Sequence, residues 1–487
     1  MLLGSVSFVM GLLYLVNWHD DDIRRYSWKI ISTTISIFLA VMLFSGFNGP
    51  LMFAVEGSGF GEKAIAVISI LHCILYILVL QITIAKISGA ICETGEHHLD
   101  AEVWVINDPL RKDNGDVVET SKVRNQTVKR SAFEDEYNME VPVQKVQKEL
   151  QDRMRWMRCY ARLLAHMAGF AAINAGGTMQ NLSFFRTRPL LTVIPLILTQ
   201  LIILLVFHFF AFLRDRMMKE RSKAGYHGRR LKMYAEEASE AENDISALST
   251  SFLIVQVLRF SIGGSLPNAE GIEVHPVHHS PAQIGGLYAI GIAFAVLSVG
   301  LVQVVAKRQE EKGEAEDEEA SPWGLVRLLV IGLASASMAF GWCTLWATRW
   351  TGFNLNPFIV HTIMGRVLMA LSLSLLSGLA VFALDALDDT LDVGAQAAAQ
   401  AIQMTINAFG ILIGFSWEHA FDGGVAAIAS QTGYPKTVKF FMGLLIAGTM
   451  TPMWRRHILT KEMALQKLKV DRFAAAERRR SGLIGQE

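Results

Sequence analysis

The sequence predicts an all-α, polytopic membrane protein of about eleven transmembrane helices, and two observations predict it: composition and the length of the apolar runs. Of 487 residues, 52% are hydrophobic and 18% charged, where soluble proteins carry roughly 25% charged residues. Mean hydropathy is +0.33. The apolar residues collect in runs of about 18 to 25, long enough to cross roughly 30 Å of hydrocarbon at 1.5 Å per residue. Barrel strands are shorter and are excluded.

The spans fall near residues 1–17, 27–48, 64–88, 158–179, 189–213, 246–264, 284–306, 323–346, 358–384, 397–416 and 436–453. The first, MLLGSVSFVMGLLYLVNW, has no basic n-region and no small-residue cleavage site, so it is expected to remain as a helix. The others read as five helical hairpins that turn in Gly/Asn/Pro-rich loops. The chain then divides into 1–90 (helices one to three), a cytoplasmic insertion at 91–155, 156–213 (helices four and five), a connector at 214–245, 246–306 (helices six and seven), an acidic linker at 307–322, 323–454 (helices eight to eleven) and a basic tail at 455–487.

Lysine and arginine set the orientation. One set of connections holds Arg24, Arg25 and Lys29, then eight basic residues from Arg214 to Lys232, then Lys307, Arg308 and Lys312, then Arg455 and Arg456. The opposite set is sparse: Lys63, Arg186, Arg188, Arg349, Lys436 and Lys439. This bias predicts an outside N-terminus and a cytoplasmic C-terminus. Overall, 45 Lys+Arg balance 45 Asp+Glu, so no global excess draws the chain to nucleic acid. Cys73, Cys92, Cys159 and Cys343 form no CxxC pair and read as neither a disulfide framework nor a zinc signature.

Two helix ends resemble each other, Gly176-Gly177-Thr178-Met179-Gln180-Asn181 and Gly263-Gly264-Ser265-Leu266-Pro267-Asn268. They read either as an internal repeat of hairpins or as ordinary helix termination. Within 91–155, short β-branched runs at 102–106 and 116–120 suggest a partly ordered insertion, turning helical from about Val143. The acidic stretch ending at Asp244 reads as the first turn of the next span. The tail places Met463, Leu468 and Phe473 among basic residues, as an amphipathic helix on the anionic inner leaflet does, and a plain cytoplasmic helix is the alternative.

Polar residues inside spans are costly and mark function or helix-to-helix bonding. They are His72, His166, Gln200, His208, Gln256, Arg259, His361, Arg366 and Asn407. Arg259 and Arg366 lie too deep to reach water easily, and Glu418 or Asp422 is the expected partner. Arg327, one turn from a span end, is expected to snorkel. Glu418, His419 and Asp422 share one helical neighbourhood suited to attracting a cation or titrating near neutral pH. In the loop Glu273-Val-His275-Pro-Val-His278-His279, three histidines and a carboxylate suit Zn²⁺ binding or acid sensing, against a simple solvated loop. Asp385, Asp389 and Asp392, with Asp388 beside them, form an acidic stripe suited to a cation vestibule or divalent site, against helix capping.

No Walker A lysine motif, GxSxG, HExxH, haem-type histidine pair, arginine-every-third-residue sensor or TVGYG filter occurs. The sequence therefore predicts a non-enzymatic ion channel or transporter, protons or small cations favoured. Its expected pathway holds His166, Gln256, Arg259, Arg366, Asn407, Glu418, His419 and Asp422, with the Asp385–Asp392 stripe at the inner mouth. The rival reading is a structural or scaffolding membrane subunit, and a lipid-active enzyme is third. Membrane lipids are expected partners. A homo-oligomer and a larger membrane complex both stay open, and no cofactor is expected.

Overall fold

The computed structural model describes residues 12–91, 143–223, 229–273, 275–313, 324–390 and 396–468. Among the described residues there is no strand. Ten long helices follow one another: α1 Asp21–Gly57, α2 Glu62–Ser88, α3 Val143–Gln180, α4 Val193–Lys223, α5 Arg229–Gly263, α6 Pro281–Gly313, α7 Leu325–Leu355, α8 Ile363–Thr390, α9 Gln396–Ala429 and α10 Pro435–Met453. Local chemistry marks several ends. Asp20 Oδ1 accepts the Asp22 and Ile23 amides at 2.7 and 3.2 Å, capping α1. Gly89 takes the left-handed conformation that closes α2. Pro435 supplies the preset φ of a first helical turn in α10.

Seven of these helices, α1, α2 and α4 to α8, are long and apolar enough to cross a membrane. Most of the expected first span, the runs 102–106 and 116–120, Asp392 and Phe473 lie outside the described residues. Loops at one end of the bundle, here the glycine-rich end, join α1 to α2, α3 to α4, α5 to α6, α7 to α8 and α9 to α10. The opposite, basic end holds the arginine-rich connections.

The odd-numbered helices form a closed ring. α1 packs on α3, α3 on α5, α5 on α7, α7 on α9, and α9 returns to α1. All five run from the basic to the glycine-rich end. The even helices lie outside this ring, α2 against α3, α4 against α5 and α3, α6 against α7, α8 against α9 and α10 against α1. The hairpins read from the sequence are thus not the main packing units. α2 with α3, α6 with α7 and α8 with α9 are joined through the basic end and pack extensively, whereas α1 and α2 barely touch.

Small residues let the ring close. On α9, a Cβ added at Gly410 would lie 2.9 Å from Thr33 Cβ, and one at Gly414 would lie 3.2 Å from Ile37 Cβ. Gly410 and Gly414 are one turn apart and present two gaps that α1 fills, the spacing by which helices approach closely in lipid. The ring half of α3, from Ala165 to Gly177, is dense in Ala and Gly for the same reason, with almost every residue buried.

The first part of the chain beyond α10 is described to residue 468. The helix passes through a π-turn at Trp454–Ile458 and continues to residue 468. Trp454 Nε1 donates to Ser32 Oγ at 2.9 Å, Leu459 is fully buried, and Arg455 lies 3.2 Å over the Trp156 ring. These contacts dock residues 454–463 on α1 and α3.

Gly410→Leu forces α9 away from Thr33 and should destabilise the fold by about 1–3 kcal/mol. Gly378→Leu, where nothing lies within 4 Å, should stay within about 0.5 kcal/mol of the unmodified protein. Thermal unfolding in detergent measures both.

Candidate functional site

Inside the ring, four helices meet through aromatic side chains. Phe252 of α5 stands edge-on to Trp342 of α7 at 5.0 Å, and Trp342 stands edge-on to Phe415 of α9 at 4.7 Å. Phe415 in turn stacks with Phe170 of α3 at 5.8 Å. All four are buried. The Trp342 indole donates to Ser251 Oγ at 3.2 Å, so its polar atom is satisfied. These side chains close a septum near the middle of the ring.

A polar layer lies on each side of the septum. Toward the basic end, His166 is one turn below Phe170, its Nδ1 3.2 Å from Ser36 Oγ of α1. Arg162, a further turn below, donates to both Glu462 oxygens at 2.9 and 2.8 Å. Arg158 lies 3.9 Å from Glu237, and Lys29, Glu240 and Asp244 share the same field. Arg162 and Asp244 are each eight residues from their septum aromatic, about 12 Å along a helix.

Toward the glycine-rich end, His419 packs edge-on to Phe415 at 4.8 Å and to Trp346 at 6.1 Å. Glu418 is buried beside it, with 4.0 Å between Glu418 Oε2 and His419 Nδ1. Arg259, Arg349 and Asp422 each lie seven residues beyond Phe252, Trp342 and Phe415 respectively.

The expected partners of the deep arginines are replaced by others. Arg259 donates to Glu273 Oε1 at 2.9 Å and to the Gly271 carbonyl at 2.7 Å, with its guanidinium 3.9 Å above Trp346. Arg366 donates to the His419 and Val360 carbonyls, each at 3.3 Å. Asp422 instead makes an ion contact with Lys439 of α10 at 2.5 Å. The loop after α5 folds back into the bundle end and delivers Glu273 to Arg259, which a reading of span residues alone misses. Glu273 also accepts Trp350 Nε1–H at 2.7 Å.

That loop separates the three histidines. His279 is buried, stacked on Trp350 at 3.8 Å and 3.5 Å from Glu273 Oε2, while His275 and His278 are exposed. Gln256 donates to the Pro267 and Asn268 carbonyls at 3.1 and 2.8 Å, fixing the same loop. Asn181 donates to the Pro267 carbonyl at 3.1 Å. The two similar glycine motifs therefore meet at the glycine-rich end. Asn407 is half-buried on α9, and His208 and His361 are exposed. His72 lies between Phe44 and Tyr76.

At the basic end, Asp385 gathers with Asp20 and Asp22, their ligand atoms within 4.8 Å of one another. Among the described residues this is the one group of three acidic, histidine or cysteine side chains close enough to hold a metal ion. Asp388 and Asp389 continue α8.

A second buried network holds outer helices to the ring. Glu242 of α5 is fully buried and accepts Arg214 Nη1 at 2.6 Å, Arg327 Nη2 at 2.7 Å and Gln81 Nε2 at 2.7 Å. Gln81 Oε1 accepts Arg214 at 3.1 Å and the Tyr234 hydroxyl at 3.2 Å. Arg327 also donates to Asn243 at 2.8 Å. It therefore turns into the protein instead of snorkelling, because Glu242 offers a closer and drier counter-charge.

No family model matches the sequence, and no similar curated protein or solved structure was found.

Glu242→Gln should leave Arg214 and Arg327 without a buried counter-charge and lower stability by about 3–5 kcal/mol. Combining it with Arg214→Met should recover part of the loss in thermal unfolding. In the loop, burial opposes ionisation of Glu273, but Arg259, the Trp350 and Arg259 hydrogen bonds and His279 outweigh it, holding the carboxyl below its ordinary 4.5. A depressed folded value stabilises above the unfolded value and is lost as pH falls through the folded one. The stability gap between the unmodified protein and Glu273→Gln should therefore be full at neutral pH and close as pH drops below about 4.5.

Proposed function

We propose that this multi-pass membrane protein is a non-enzymatic ion channel or transporter, with protons or a small cation as the favoured cargo. The observation that carries the reading is Glu418. This carboxylate is buried inside the ring, next to the septum, and the partner within ion-pair distance among the described residues is His419 at 4.0 Å. A carboxylate placed so deep is costly unless it exchanges a proton or holds a cation.

In this reading the glycine-rich end faces outward and the basic end faces the cytoplasm, as the lysine and arginine bias asks. Residues 1–17, α3, α9 and α10 complete eleven spans. Glu418, His419 and Asp422 receive the cargo at the outer mouth, with Gln256, Arg259 and Arg366 fixing the loops around it. His166 and Asn407 lie along the way, and Asp385, Asp388, Asp389 and Asp392 line the inner mouth. The aromatic septum is a closed gate, since apolar rings exclude the water that an ion or proton chain requires. Rotation of Phe415 and Trp342 about their side-chain bonds would join the two polar layers.

Flux in proteoliposomes tests this directly. The unmodified protein should carry protons or a small cation, and Trp342→Ala should increase the leak. Glu418→Gln with Asp422→Asn should flatten the response of flux to pH between about 5 and 8, the range in which histidine and coupled carboxylates titrate. A folded protein with no flux in either form would favour the scaffolding reading. For orientation, a tag near Lys223 should be reachable only after permeabilisation, and one near Gly271 without it.

A further inference from the structure

A small pocket opens at the glycine-rich end between α5, the 264–280 loop, α7 and the turn at Phe358–His361. Its lining includes Arg259, Glu273, Val277, Arg349, Trp350 and Phe353. About 10 Å³ is available to the centre of a water-sized guest, room for one water or one monatomic ion.

The charges in this pocket do not balance. Two guanidiniums line it, against one carboxylate. Glu273 is already engaged by Arg259 at 2.9 Å, by the Trp350 indole at 2.7 Å and by His279 at 3.5 Å. Arg349 makes no ion pair among the described residues. Its guanidinium lies 5.7 Å over the Trp346 ring, repelled by Arg366 and attracted by a Glu273 already engaged elsewhere. Arg366 itself donates to two backbone carbonyls and faces the field of Glu418. Arg349 and Arg259 thus share the field of the one carboxylate that lines the pocket, Glu273, and only Arg259 is within ion-pair distance of it. Val277 and Phe353 wall the space with apolar surface, which lowers the local dielectric and strengthens attraction for a counter-charge.

We propose that this pocket binds a small monovalent anion, a halide such as chloride, with Arg349 as its charged ligand. The excess positive charge calls for an anion rather than a neutral water. The small enclosed space favours a single-atom anion over phosphate, sulfate or a carboxylate compound. Arg259 stays on Glu273 and sets the far wall, while Arg349, half-buried at the mouth, reaches the guest. The site borders the proposed outer mouth but does not depend on cargo movement, and would exist in a scaffolding protein as well.

Chlorine NMR line broadening on the purified full-length protein in detergent tests the assignment. Chloride should show saturable, protein-dependent broadening that bromide displaces and sulfate does not. Arg349→Gln should weaken chloride binding about tenfold or more, the loss expected for a charge-assisted hydrogen bond. Val277→Phe fills the mouth while keeping every charge, and should weaken binding as well. Val277 is 47% exposed, so this variant should fold even where Arg349→Gln does not. Absence of saturable broadening in the unmodified protein would overturn the proposal. So would unchanged binding in folded Val277→Phe, or displacement by sulfate as effective as by bromide.

Discussion

Five parallel helices closed into a ring keep lipid and most water away from their inner side, so each polar group they carry there must find its partner within the protein. The rest of the structure follows from this constraint. Trp342 turns its indole N–H to Ser251, and His166 meets Ser36. Arg259, too deep to reach water, draws the loop after α5 back over the bundle end until Glu273, the Gly271 carbonyl and Trp346 surround it. A loop that would otherwise be solvated becomes a lid of fixed conformation, with Gln256 and Asn181 bonding its carbonyls from below. The glycines of α9 belong to the same constraint, since a side chain at Gly410 would collide with Thr33 and open the ring between α1 and α9.

The division into inner and outer helices also explains where charge can be buried at modest cost. Glu242 sits where α2, α4, α5 and α7 meet, so one carboxylate serves arginines from two helices and an amide from a third. Such a group orders the four helices more than it stabilises them, because burying an ion pair roughly cancels its Coulomb gain while removing one member leaves a bare charge. The docked chain after α10 repeats the device. Glu462 binds Arg162 from outside the ring and holds the π-turn segment against α3.

Much of this architecture was legible in the sequence. Run lengths located α1, α2 and α4 to α8, and the helical onset near Val143 matched the start of α3. The deep positions of Arg259 and Gln256 were visible as polar residues in apolar runs, whereas Glu418 fell just past the end of one. Their partners were not visible. Glu273 lies in a segment of ordinary loop composition, and Gln81 reaches Glu242 across 161 positions. Glu242 itself resembled a helix-starting acid, since nothing in a linear pattern distinguishes a carboxylate facing water from one facing two arginines. A usable signal for ring and periphery was present, however: α3 is dense in Ala and Gly where α4 is dense in Leu and Ile. Close-packed helices select small residues, and lipid-facing ones select large aliphatic residues.

The septum and the flanking charges depend on one another. Aromatic rings from four helices interlock, edge to face and stacked, only if those helices are held at a fixed register, and the charged layers supply that register at both ends. Arg162 with Glu462 fixes α3 on the basic side, and Arg259 with Glu273 ties α5 to its loop on the other. Conversely, the septum separates the two layers by about 20 Å, counting seven and eight residues of helix rise. Weakening either layer would loosen the register first, and only then the aromatic contacts. The septum therefore holds only as long as both charged layers keep the helices in register.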